Sequence, residues 1–377
     1  MRIYLDNNAT TQLDPQVVDA MIEELAAPPR NPSSIHYFGQ EGKKILSECR
    51  SKIAQALKVK PSEILFTSGG TEGVNLLIRG VLSDPNAHII GSPIDHACVY
   101  TTLLDLKENG ADLTLLPVDL YGAPQARGLQ QAIKPNTKLI VLTAANSETG
   151  IKIDLEKMSE IAKSANIPLI IDGVALMGKE PINIPDGVTG MVFSAHKFHG
   201  PKGVGFVYLK HKTPLNPLFT GGGQEKKLRS GTENLPGIVG MTKALTLIEE
   251  ENKFAYLKSL RELFESKLLE ELPAIEINGE GPRLSNTSNI FFPGVDGESL
   301  LISLDMQKVA CSHASACASG ALEPSRVLLN MGFSKERAGS SLRFSFSRFN
   351  TPEEVGKAAE IIISLVKKLS ASALELI

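Results

Sequence analysis

No stretch of the 377 residues reaches the ~18 consecutive apolar residues a bilayer-spanning helix needs, so no membrane span is expected. The chain also lacks a charge imbalance. Its 39 Lys and Arg against 42 Asp and Glu leave a formal net charge of −3, with no global pull toward nucleic acid or an anionic membrane. Cysteine is scarce. Cys49, Cys98, Cys311 and Cys317 are scattered and form no C-x-x-C, which argues against a disulfide framework and a structural zinc site, and no metal is expected. The opening residues, Met1-Arg2-Ile3-Tyr4-Leu5-Asp6, lack the charged-then-apolar pattern of a secretory signal, so a cytoplasmic protein is expected. There is no internal repeat and no low-complexity tract. Hydrophobic residues at 42% and charged residues at 21% describe a folded globular chain, not a disordered, collagen-like or coiled-coil one.

The length suits two domains. Asp14 as N-cap, Pro15 at the first helical position and Val18, Met21, Ile22 and Leu25 at helical spacing predict a first helix. Residues 27–34, rich in proline, form a loop. From about 40 to 250, short apolar runs alternate with amphipathic segments. Ile64–Thr67, His88–Ile90, Leu139–Leu142, Leu169–Ile171, Met191–Phe193 and Val204–Tyr208 read as strands; 41–57 and 155–165 read as helices. This alternation predicts an α/β fold with a mostly parallel sheet flanked by helices. Long helices are expected over 236–272, strands at Ile290–Phe292 and Leu342–Ser345, and a closing helix capped by Thr351, Pro352 and Glu354. The expected division is a large domain over 15–250 and a smaller α+β domain from 1–14 and 251–377.

Open α/β sheets bind ligands at the carboxyl ends of their strands, and four junctions carry suitable residues. Phe66-Thr67-Ser68-Gly69-Gly70-Thr71-Glu72 is a strand, a glycine turn and a helix start, either a phosphate cradle or an ordinary turn. Asp172 directly follows a buried apolar strand, where an acid is costly unless paired; it suits a protonated ring nitrogen, a metal or a helix cap. Lys197, in Ser194-Ala195-His196-Lys197, sits between two buried strands, where a depressed pKa favours Schiff-base chemistry over the role of a surface lysine. The small-residue stretch Cys311–Gly320 suggests a mobile loop in which Cys317 is exposed and reactive. Cys49 and Cys98 suit buried structural thiols better, and Cys311 fits either a strand or the loop. Cradle, acid and lysine follow the order expected of a pyridoxal 5′-phosphate (PLP) enzyme.

With these residues in view, the chain resembles the fold-type I PLP-dependent transferases of aminotransferase class V, and among them the NifS/IscS-type cysteine desulfurases. The resemblance runs through Tyr4-Leu5-Asp6-Asn7-Asn8-Ala9-Thr10-Thr11, Asn31-Pro32-Ser33-Ser34-Ile35-His36, Ser68–Glu72, His96, Asp172, Ser194–Lys197, Arg229-Ser230-Gly231-Thr232, Ser315–Ser325 and Ser341–Ser345. The length of the Cys317 loop is similar to the long loop of the NifS/IscS group rather than the short one of the SufS group.

The resemblance implies roles. Lys197 would bind the cofactor as a Schiff base and then move the substrate proton. Asp172 would pair with the pyridinium nitrogen, and His96 would stack on the ring. Gly70, Thr71, Ser194 and His196 would hold the phosphate, with Thr232 reaching the phosphate of a neighbouring subunit in a homodimer. Ser147 would stand beside the cofactor, Arg343 would grip the substrate carboxylate, and Cys317 would take the sulfur of L-cysteine as a persulfide, leaving L-alanine. The acceptor would be an iron–sulfur scaffold or a tRNA-thiolation enzyme, with no direct nucleic-acid contact. Two positions depart from the family. Ala175 stands where a glutamine usually donates to the cofactor's phenolic oxygen, and Ser147 replaces an asparagine. Each lost bond to a charged group is worth ~1.5–3 kcal/mol. The end at Ile377 is short beside IscS-type proteins, which would alter docking of the scaffold. Alternatives are a selenocysteine lyase, an aminotransferase, or a low-activity paralogue that acts as a binding partner.

Overall fold

The computed structural model describes residues 2–84, 86–313 and 324–374, with side chains as far as residue 370. The chain opens with a short strand, β1 (Ile3–Tyr4), followed by helices α1 (Pro15–Ala26) and α2 (Tyr37–Ala56). The start of α1 is set by Asp14, whose carboxylate accepts the Gln16 N–H at 2.8 Å, with Pro15 supplying the first helical residue. Strands and helices then alternate: β2 (Ile64–Thr67), α3 (Gly70–Val81), β3 (His88–Gly91), α4 (Ala97–Glu108), β4 (Asp112–Leu115), α5 (Ala126–Ala132), β5 (Thr137–Thr143), α6 (Leu155–Ser164), β6 (Leu169–Asp172), β7 (Gly190–Ser194) and β8 (Gly205–Leu209).

Seven of these strands form one sheet in the order β2-β8-β7-β6-β5-β3-β4. Only β8 runs antiparallel to its neighbours. The strand side chains alternate between two cores, as a two-residue period requires. Ile64, Phe66, Ile90, Ile140, Leu142 and Ile171 face one side, where Ile53 of α2 and Met158 of α6 cover them. Leu65, Ile89, Leu139, Val141 and Ile170 face the other, covered by Val74 and Leu77 of α3 and Leu103 of α4. Both faces are therefore dry, which explains the unbroken apolar runs of the central strands. Strand β4 was not anticipated. Its sequence, Asp-Leu-Thr-Leu, is partly exposed because it pairs on one side only, at the sheet edge.

The chain continues through α7 (Leu235–Glu251), α8 (Phe254–Glu271), β9 (Glu276–Ile277), β10 (Thr287–Phe291), α9 (Gly297–Met306), β11 (Val309–Ala310), α10 (Arg326–Asn330), α11 (Lys335–Gly339), β12 (Ser341–Ser345) and α12 (Pro352–Leu374). An antiparallel sheet β12-β10-β9 and the parallel pair β1-β11 carry a further core. Phe264, Phe292, Phe344 and Phe346 fill it, together with Ile3 and Leu5 from the start of the chain. Each fully buried aliphatic or Phe side chain here contributes roughly 1.5–3 kcal/mol. Thr351 and Glu354 cap α12 reciprocally, each backbone N–H donating to the other's side chain at 3.1 Å. No described helix is long and apolar enough to cross a membrane.

Candidate active site

The sheet order reverses around β3, because β4 lies on one side of it and β5 on the other. Such a reversal opens a crevice at the strands' carboxyl ends. A cavity of about 380 Å³ lies there, reached by residues following β3, β5, β6 and β7 and by the start of α3.

Asp172 ends β6 and is 4% exposed. Its Oδ1 accepts the Val174 N–H at 2.9 Å, the local turn that fixes the carboxyl's direction. Burial pushes its pKa up, and nearby His96 and Lys197 act against that rise. Lys197 closes a short helical turn after β7. Its Nζ donates to the carbonyls of Asn8 at 2.5 Å and Ala9 at 2.9 Å. The carbonyl of Lys197 in turn accepts from the Nζ of Lys179. Lys179 is buried, and burial, aided by the charge of Lys197, pushes its amine down to about 7. Two amines thus share one corner of the cavity.

His96 caps α4: its Nδ1 accepts the Cys98 N–H at 3.2 Å and lies 3.0 Å from the Cys98 Sγ. Both residues line the cavity. Cys98 is therefore a cavity thiol, not the buried structural one expected; Cys49 does sit in the core. Cys311 packs against the β10–β12 core, and burial pushes its thiol up.

The opposite end of the cavity is the turn into α3. Gly69 adopts φ +155°, and a Cβ there would stand 3.6 Å from the Ser194 hydroxyl; one at Gly70 would stand 2.9 Å from Val174 Cγ2. Gly69 suits its positive φ, and at Gly70 a Cβ would press on Val174, so the turn favours glycine at both positions. Gly70, Thr71, Ser194 and His196 all border this end. His196 lies 3.2 Å from Thr10 Oγ1, and burial with the charge of Lys197 pushes it down to about 4, so it is neutral at pH 7. A bidentate pair between Arg229 and Glu72, at 2.8 and 3.2 Å, ties the 219–233 segment to the first turn of α3.

This donor set fits PLP. A carboxyl stands ready for a protonated ring nitrogen, an amine for the aldehyde, and helix-start N–H groups with hydroxyls for the phosphate. The methyl of Ala175 lines the cavity and offers no donor. Ser147 contributes its carbonyl, which accepts from Asn8 Nδ2 at 3.0 Å and from Arg343 at 3.1 Å.

Arg343 lies in the middle of β12 and is 2% exposed. It is not on the cavity wall but directly behind Ser147, with its guanidinium 2.6 Å from Asp6 Oδ1. Ser325 and Arg326 do reach the wall. The Ser325 hydroxyl donates to the buried Glu148 at 2.5 Å. Arg326 stacks 4.1 Å above Tyr100 and donates to the Asp95 carbonyl at 2.6 Å. Thr232 is exposed and borders a separate cleft with Ser68 and Arg229. Cys317 lies outside the described residues.

The structure thus brings Gly70, Thr71, His96, Ser147, Asp172, Ser194, His196 and Lys197 to one cavity. Sequence reasoning gave no individual role to Asp6, Asn8 or Lys179, and read Cys98 as a structural thiol. For Lys179 a signal existed in the preceding Gly178, whose φ of +78° sits against Phe198 next to Lys197.

Comparison with known proteins agrees with this geometry. The family model described as Aminotransferase class-V matches residues 3–357. The chain is 40% identical to the cysteine desulfurase IscS of Dictyoglomus turgidum, over 97% of this chain and 95% of that one. It is also 40% identical to the putative cysteine desulfurase IscS 1 of Bacillus subtilis, over 98% and 100%. Among solved structures, a NifS-like protein superposes with a TM-score of 0.90 at 34% identity, covering 98% of this chain and 100% of that chain. The chain belongs to the class-V aminotransferase family, among its NifS/IscS-type cysteine desulfurases, and is a PLP-dependent enzyme of the fold that family shares.

Proposed function

We propose that the enzyme takes L-cysteine, releases L-alanine and holds the sulfur as a persulfide on Cys317. The observation that carries this reading is the convergence of Lys197, Asp172 and the glycine turn at Gly70 on one cavity. The segment that follows Cys317 in the chain, from Pro324 to Val327, borders the same cavity. A solved structure described as SspA in complex with cysteine, 29% identical with a TM-score of 0.82, supports cysteine as the ligand.

When bound, PLP supplies an electron sink for the electrons left when the substrate Cα loses its proton. Lys197 would hold the cofactor and would carry that proton on its amine. The second amine, Lys179, donates to the Lys197 carbonyl and so holds that residue's backbone beside the cavity. Asp172 would hold the ring nitrogen protonated, and His96 would contact the ring in the same cavity. Gly70, Thr71, Ser194 and neutral His196 would hold the phosphate, and in a homodimer Thr232 of the partner subunit would complete the site. Arg343 takes the substrate carboxylate in place of its contact with Asp6. The Cys317 thiolate then attacks the substrate sulfur. The Cβ–S bond breaks, its electron pair returns to the carbon skeleton with a proton, and the sulfane sulfur stays on Cys317. We further propose a cytoplasmic enzyme that passes this sulfur to a partner protein, an iron–sulfur scaffold or a tRNA-thiolation enzyme.

The test is direct. Protein loaded with PLP and given L-cysteine plus a thiol reductant should yield alanine and sulfide in equal amounts. Lys197→Ala should lose the visible absorbance of the bound cofactor and lower turnover by at least ~10²–10⁴-fold. Cys317→Ala should keep the absorbance and lose sulfide release. Undiminished sulfide release from Cys317→Ala, or borohydride labelling of a peptide other than that of Lys197, refutes these assignments. Turnover of selenocysteine alone would favour the selenocysteine lyase reading.

A further inference from the structure

We propose that the cofactor-free enzyme binds one thiophilic divalent cation, zinc foremost, through His96, Cys98 and Asp172, and that this cation and PLP exclude each other. A ring nitrogen, a thiol sulfur and a carboxylate oxygen from these residues all lie within 4.8 Å of one another, the one such group of His, Cys, Asp or Glu among the described residues. The elements holding them are rigid. His96 and Cys98 share the first turn of α4, and Asp172 ends a central strand. The sulfur and nitrogen are 3.0 Å apart. Zinc bonds of ~2.0–2.3 Å in tetrahedral geometry set ligand gaps of roughly 3.3–3.8 Å. The pair must therefore open by about half an ångström, within the reach of small side-chain rotations. Three protein ligands leave a fourth position facing the cavity for water, the ligand count of open zinc sites. A set of one sulfur, one nitrogen and one oxygen selects zinc or cobalt over magnesium or calcium.

The dication would also offset the burial that dominates the environment of the Asp172 carboxylate, adding to His96, Lys197 and the Val174 N–H. On binding, Cys98 gives its proton to solvent, so affinity falls as the pH is lowered. The exclusion rests on the cofactor reading above, because Asp172 and His96 are the residues that reading gives to the pyridine ring. A metal-loaded site would then hold newly made enzyme inactive until the cation is removed.

The experiment uses the full chain stripped of cofactor and titrated with cobalt(II), followed by displacement with zinc. Wild type should take up one cobalt per chain and show a thiolate-to-cobalt charge-transfer band. Cys98→Ala and Cys98→Ser should both lose the band and bind at least ~100-fold more weakly, while Cys317→Ala keeps it. PLP added first should abolish the band. A missing band, one that survives both Cys98 substitutions, or one lost in Cys317→Ala overturns the site. Normal PLP uptake with cobalt still bound overturns the exclusion. Failure of PLP to bind the metal-free protein would instead count against the cofactor reading and leave the cobalt result standing.

Discussion

The cavity wall built by residues after β3, β5, β6 and β7 differs in kind from the wall that Asn8 and Ser325 line, with Asp6 and Arg343 behind it. On the first, each functional side chain sits within a few residues of a buried strand end, and local turns aim it. Asp172 is oriented by its own turn to Val174, and His96 by its cap on α4. On the second, partners come from opposite ends of the chain. Arg343 pairs with Asp6, 337 residues away, and Ser325 with Glu148, 177 residues away. The comparison teaches that the side proposed for the cofactor is preorganised by the sheet, whereas the side proposed for the substrate is held by internal groups resembling its ligand. A carboxylate, that of Asp6, already faces the guanidinium proposed to receive the substrate carboxylate.

The largest effect that sharpens this contrast should come from Arg343→Ala. Removing one member of a buried ion pair leaves the other uncompensated, at about 3–5 kcal/mol. The variant should melt well below wild type and raise KM for cysteine, yet still bind PLP when folded. Arg343→Lys keeps the charge but not the fork, so it should regain most stability and little affinity. If PLP uptake falls as steeply as cysteine affinity, the two walls are not separable and the contrast is wrong.

A smaller effect concerns the corner where the walls meet. Lys179 is pushed down to about 7 in the fold from an ordinary value of 10.5. Between those values the unfolded chain carries a proton at this residue that the folded chain does not. Stability should therefore rise with pH across this window, with a slope of up to about 1.4 kcal/mol per pH unit from this group. Lys179→Met removes that contribution, so urea melts from pH 7 to 10 should give a flatter profile than wild type. Equal slopes would place the titration elsewhere.

The same contrast explains what could be read from the sequence. The central strands announce themselves as apolar runs because helices dry both faces, and chemistry placed one residue past such a run stands out. Asp172, Lys197 and the Gly69-Gly70 turn were legible on that ground alone. Strand β4 was not, because an edge strand has no need of an apolar run. Cys98 was misread because spacing cannot reveal that a helix cap turns its thiol into the cavity. Asp6 and Lys179 were silent for a different reason. Their partners, Arg343 and the Lys197 carbonyl, are contacts of the tertiary fold, with no periodicity in the chain to mark them.

The least effect tests the departures at 175 and 147. Ala175 borders the cavity in the turn after Asp172, where its methyl meets the space proposed for the ring. Glutamine there restores a donor that the family resemblance places on the phenolic oxygen. One hydrogen bond to a charged oxygen is worth about 1.5–3 kcal/mol. Part of that is lost to ordering a longer side chain, which costs up to ~2 kcal/mol. Ala175→Gln should therefore tighten PLP several-fold and narrow its absorbance band. Adding Ser147→Asn should act mainly on cysteine affinity, because the Ser147 carbonyl already joins Asn8 to Arg343. The two changes fall after different strands, β6 and β5, and should be additive. Coupling between them, measured as a double-substitution cycle on PLP affinity, would mean that the cofactor and substrate sides communicate through the 146–148 segment.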